Sequence, residues 1–108
     1  MFALSIVRLY TELPKTDEAR VLGKQLLRSA TSVGAHYREA CRSRSDAEFV
    51  SKLEGGLQEL DETGFWLELL RDTEVVHAAI ATSLLQETDE LTAIFVASVR
   101  TVKRRTRR

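Results

Sequence analysis

With one proline and five glycines in 108 residues, this sequence has little to interrupt regular structure, so its loops must be few and short. A single cysteine, Cys41, excludes an intramolecular disulfide. The N-terminus lacks a basic run followed by a long apolar stretch and a small-residue cleavage site. The expected location is therefore the reducing cytoplasm. The longest apolar run, Ala93-Ile94-Phe95-Val96-Ala97, falls far short of the roughly 18 residues needed to cross a bilayer. There is no glycine-rich phosphate loop after a strand, no Cys-x-x-Cys and no Walker pattern. Net charge is absent too, with sixteen Lys/Arg against sixteen Asp/Glu.

What is present is 44% hydrophobic and 30% charged residues, a helical globular composition long enough for one domain. The zero net charge conceals a separation. Lys103, Arg104, Arg105, Arg107 and Arg108 supply five cations, which leaves residues 1–102 with eleven positive and sixteen negative charges, a net of −5. The expected organisation is a bundle domain over 1–102 and a basic tail over 103–108, mobile when free because like charges repel. Residues 20–44 carry six Lys/Arg against Glu39 alone, and residues 45–74 carry nine acids against Lys52 and Arg71. Such blocks predict attraction between neighbouring helices.

Four segments show apolar spacing near 3.6 residues and none alternates as a strand would. The first carries Phe2, Ile6, Leu9 and Leu13 on one stripe and ends before Pro14. The second runs from about Thr16 to Cys41 on Leu22, Leu26, Ala30, Val33, Tyr37 and Ala40, with Asp17 and Glu18 suiting its N-terminal dipole. The third starts at a capping box, Ser45-Asp46-Ala47-Glu48, and continues through Phe49, Leu53, Leu57, Leu60, Leu67 and Leu70. A second apolar set on it, Val50, Phe65, Trp66 and Leu69, exceeds what one bundle buries and predicts an interface between copies. The fourth is expected from a Thr73 N-cap, with Val76, Ile80, Leu84, Leu91, Ile94, Phe95, Val99 and Val102 inward. Links of about three residues make consecutive helices antiparallel. The predicted fold is all-α, an antiparallel up-down-up-down four-helix bundle.

All five glycines fall inside these helices, where each costs about 1 kcal/mol relative to Ala. Gly23 and Gly34 share a face with Leu27, Ala30 and Cys41, which predicts a close-approach seam along the second helix. Gly55 and Gly64 lie on opposite faces of the third helix and have no single account.

A bundle invites a di-iron site, which needs two Glu-x-x-His motifs and two more Glu at one level. The chain offers Glu74-x-x-His77, the reversed pair His36 and Glu39, and the pair Glu59 and Glu62. Hairpin register puts His36 level with Lys52 and His77 level with about Leu70, eighteen residues and roughly 27 Å apart along the bundle. No metal site, cofactor or catalytic group is expected. Cys41 and His36 point about 140° apart around their helix, so they form no nucleophile–base pair. Glu59 and Glu62 are expected to meet Arg or Lys from the second helix.

The matching residues Pro14, Gln25 to Val33, Glu39, Glu48-Phe49, Lys52-Leu53 and Glu59 to Leu70 resemble the bacterial four helix bundle protein family. This is also called the ribosomal-RNA intervening-sequence protein family, and the accessory protein Avd of diversity-generating retroelements is related to it. Where the family usually has Asn-Ile this chain has His36-Tyr37, and its usual Gly after the Glu is Ala40. The resemblance implies a homo-oligomeric barrel, a pentamer, without catalytic activity. For the retroelement branch it implies binding of RNA and a reverse transcriptase.

Two functional expectations follow. One is a homo-oligomeric scaffold or adaptor holding RNA or another polyanion, with Arg28, Arg38, Arg42, Arg44, Lys103, Arg104, Arg105, Arg107 and Arg108 as candidate contacts. The other is a purely protein-binding structural module with no nucleic-acid role.

Overall fold

The computed structural model describes residues 1–106; Arg107 and Arg108, two of the candidate polyanion contacts, lie outside the described residues. Among the described residues the chain forms four helices, α1 (Phe2–Thr11), α2 (Asp17–Cys41), α3 (Asp46–Asp72) and α4 (Ala78–Thr106). Two of the starts are fixed by hydroxyl caps. Thr16 accepts the Ala19 N–H at 3.3 Å and Ser45 accepts the Glu48 N–H at 3.1 Å, each satisfying a donor that the helix itself leaves open.

Cross-helix pairs set the topology. Ser29 meets Thr63 and Glu39 meets Lys52, while Arg105 meets Asp46 and Lys103 meets Glu54. Both sets run in opposite directions along their helices, so α2, α3 and α4 are successive antiparallel neighbours. Gly23 of α2 lies under Tyr10 and Leu13 at the end of α1, which makes the first pair antiparallel too.

The buried stripes form two core clusters. One joins Ile6, Leu26, Leu67, Leu70, Val76 and Leu84; the other joins Val33, Ala40, Leu53, Leu60, Phe95 and Val99. The bundle is 53 Å long, and the ten residues of α1 span only about 15 Å of it. Over the described residues the second cluster is enclosed by α2, α3 and α4.

Three expectations are corrected. The fourth helix starts at Ala78, and Thr73 is the C-cap of α3. Glu74 follows at φ 62, the Glu74 N–H bonds the Arg71 carbonyl, and the Val75 N–H bonds the Leu70 carbonyl. These are the bonds and the left-handed residue of a Schellman ending, here with a glutamate where glycine is usual. Threonine serves either helix end, and Thr73 donates its hydroxyl to the Leu69 carbonyl at 2.6 Å.

The small-residue seam on α2 is a close approach only at Gly23. A Cβ there would fall 2.5 Å from Leu13 Cδ1, whereas nothing lies within 4 Å at Gly34 and Cys41 is exposed. On α4 the inward positions include Ala81 and Thr88, while Ile80 and Ile94 are about half exposed. The later start removes Val76 from the helix, where it is a buried residue of the link.

Candidate functional site

Residues 103–106 are the last turn of α4, and Val102 just before them is buried. The expected mobile tail is thus helical through Thr106. Arg105 reaches Asp46 at 2.8 Å and Lys103 reaches Glu54 at 3.3 Å, both across to α3. Cations in a last turn also suit the helix dipole.

This packing brings α4's end beside the α2–α3 link. Arg44 and Arg105 line one cavity of about 440 Å³ with Cys41, Ser43, Asp46 and Phe49. Arg38, in α2's last turn, and Arg42, its C-cap, stand at the same end. Dividing the bundle at the level where His36 meets Gly55 shows the polarity. Residues 36–55 and 96–106 hold eight Lys/Arg and four Asp/Glu, a net of +4. Residues 1–35 and 56–95 hold six and twelve, a net of −6.

Arg28 stands apart from this group. It is fourteen residues before Arg42, roughly 21 Å along the helix, and it is paired with Glu62 at 2.8 Å and Glu59 at 3.4 Å. The carboxylate pair on α3 therefore meets an arginine of the second helix. Nearer the basic end, a hydrogen bond from Lys52 and then its charge hold the Glu39 carboxyl below the usual carboxylate range, and the same contact raises Lys52. Both side chains are substantially solvated, so their pairing adds little stability.

His36 packs onto the glycine pair of α3. A Cβ on Gly55 would come within 2.7 Å of its Cε1, and one on Gly56 within 2.7 Å of Phe95 Cε2. Its Nδ1 is buried without a hydrogen-bond partner. Tyr37 stacks against Phe95 with centroids 5.9 Å apart. At the far end of the molecule, His77 Nδ1 accepts the Ala79 N–H at 3.2 Å in α4's first turn. Among the described residues no three His, Cys, Asp or Glu side chains converge as metal ligands, and no helix is long and apolar enough to cross a membrane.

Of the four candidate interface residues, Phe65 is 54% exposed. Trp66 meets it edge-on at 4.9 Å, packs against the first core cluster, and has its Nε1 buried without a partner. Val50 and Leu69 are half-buried, Val50 against the second cluster.

The profile of the family described as 23S rRNA-intervening sequence protein matches residues 1–97. The chain belongs to this family. No curated protein matches it. Among solved structures it is similar to a protein of unknown function from the S23 ribosomal protein family of Bacteroides thetaiotaomicron. The two share 39% identity over 91% of each chain, with a TM-score of 0.85.

The block from Glu59 to Trp66 has a physical role in joining α2 to α3. Glu59 and Glu62 hold Arg28. Thr63 Oγ1 lies 2.9 Å from Ser29 Oγ in the buried seam between the helices, and Trp66 closes the edge of the core. The Ser29–Thr63 contact was not legible in the sequence. Its one signal was two small hydroxyl residues on otherwise apolar stripes.

Proposed function

We propose that this chain is a non-catalytic, self-associating helical scaffold whose basic end holds RNA or another polyanion. The carrying observation is that Arg38, Arg42, Arg44, Arg100, Lys103, Arg104 and Arg105 gather at one end of the bundle, while most acids lie at the other. A polarised charge of this kind orients a polyanion toward one end of a molecule whose overall charge would not attract it. The family's description names the 23S rRNA intervening sequence, which makes RNA the polyanion to test first. Self-association is supported by exposed Phe65, Tyr37 and Ile94, which are larger apolar groups than a solitary bundle needs on its surface.

The test is fluorescence anisotropy of a labelled RNA hairpin titrated at several salt concentrations. The double substitution Arg44→Glu and Arg104→Glu should abolish most binding and flatten its salt dependence. Arg28→Ala, at the other level, should leave binding unchanged. If the reversed variant binds as the parent does, or the parent fails to bind at about 50 mM salt, the purely protein-binding module is the better reading.

A further inference from the structure

Away from the basic end, one cavity has three cations in its lining and no acid. It occupies the corner where α1 gives way to α2, with a volume of about 310 Å³, and Tyr10, Leu13, Pro14, Lys15, Arg20 and Lys24 border it. Packing accounts for the apolar part. Leu13 and one edge of the Tyr10 ring cover Gly23, where a Cβ would fall 2.5 and 3.2 Å from them. It does not account for the cations. Arg20 and Lys24 are four residues apart on one face of α2, a spacing at which like charges repel, and Lys15 follows Pro14 in the link. Among the described residues none of the three is in an ion pair, although Arg28, one turn beyond Lys24, meets Glu59 and Glu62. Glu12, Asp17 and Glu18 are near in sequence, yet none of them lines the cavity. The cluster also stands in the part of the molecule whose net charge is −6, so it runs against its surroundings.

We propose that this corner binds a nucleoside phosphate, with the phosphate held by Lys15, Arg20 and Lys24 and the base laid against Tyr10 and Pro14. A phosphate monoester carries close to two negative charges at neutral pH, which several unpaired cations on one cavity suit. Arg20 offers a planar fork for two phosphate oxygens, and the lysines add point charges. The dipole of α2, whose N-terminal end lies at this corner, has the same sign. A flat base on a tyrosine ring gains stacking energy whatever its identity. The volume lies at the small end of ligand sites, which fits one nucleotide unit. Lys24 is eighteen residues before Arg42, roughly 27 Å along α2, so the site is separate from the basic end and does not rest on the polyanion binding put forward there.

Isothermal titration calorimetry of the full chain with adenosine monophosphate, and separately with inorganic phosphate, tests this at about 50 mM salt. The nucleotide should bind about tenfold or more tighter than phosphate, the gain expected from one stacked base. Arg20 and Lys24 are exposed, so Arg20→Glu with Lys24→Glu should keep the parent's helicity by circular dichroism and lose binding of both ligands. Tyr10→Leu should bring the nucleotide's affinity down to that of phosphate; if that variant fails to fold, the comparison of the two ligands on the parent decides the same point. A nucleotide not bound below about 1 mM, a charge-reversed variant that binds it as the parent does, or phosphate bound as tightly as the nucleotide overturns the proposal. A short 5′-phosphorylated RNA, titrated into the Arg44→Glu, Arg104→Glu chain to remove the basic end, distinguishes the two sources of this ligand. Binding tighter than the mononucleotide upholds the site as a reader of a strand's end, and weaker binding upholds it as a site for the free nucleotide.

Discussion

His36 and Gly55 show how one residue licenses another. The imidazole occupies space that a Cβ on Gly55 would enter, so Gly55 forgoes about 1 kcal/mol of helix propensity to accommodate it. Gly55→Ala should therefore behave differently according to what stands at position 36. With His36 present, overpacking of about 1–3 kcal/mol should cancel or exceed the propensity gain. In a His36→Ala background the same change should stabilise by about 1 kcal/mol. Urea denaturation of the four-member cycle measures the coupling, and equal effects in both backgrounds would show that the histidine does not restrain the glycine. Gly55 was visible in the sequence as a cost without a reason. The reason lies on another helix, at a register that no local pattern specifies.

At the scale of elements, helix α3 displays how starts and stops differ in legibility. Its start was readable because Ser45 precedes an acidic first turn and its hydroxyl caps Glu48, as observed. Its end was not, because the residue in the left-handed position is Glu74, where the sequence offers no glycine to announce a stop. The Val75 and Val76 N–H groups both bond the Leu70 carbonyl, and Val76 is drawn into the core; tertiary burial thus holds a turn that local preference disfavours. A left-handed non-glycine residue costs about 1–2 kcal/mol. Glu74→Gly should recover about 1 kcal/mol of that, after allowing for glycine's greater freedom in the unfolded chain, and raise the melting temperature by about 4–8 °C. Glu74→Ala serves as the control and should bring no such gain. Equal melting temperatures for the two variants would mean that backbone strain at this turn is not what limits it.

The molecule as a whole is a rod with opposite charge at its two ends and apolar surfaces along its sides, and the two features should separate in salt. The proposed polyanion binding at the basic end would release counterions and should weaken steeply between about 50 and 200 mM salt. The proposed self-association, carried by exposed apolar side chains, should persist at about 0.5 M, where the Debye length is only a few ångströms. Light scattering and anisotropy on the same samples check this. Loss of the assembly in step with the RNA would place charge, and not apolar burial, at the centre of the subunit contact.

By itself the sequence determined the helical class, the four segments, the cap at Ser45, the α2–α3 hairpin and the family resemblance. All of these follow from periodicity, from capping chemistry or from short motifs, which act within a few residues of chain. Only the tertiary structure decided that residues 103–106 are helix, with Lys103 and Arg105 paired to Glu54 and Asp46, and that Arg28 is engaged by Glu59 and Glu62 away from the other arginines. It also decided that Ile94 faces outward, and that of the neighbours Phe65 and Trp66 the first is exposed while the second closes the core. A helical pattern reports which residues share a face. Which face is covered, and by what charge, depends on the register and length of the neighbouring helices, and those are fixed when the helices pack.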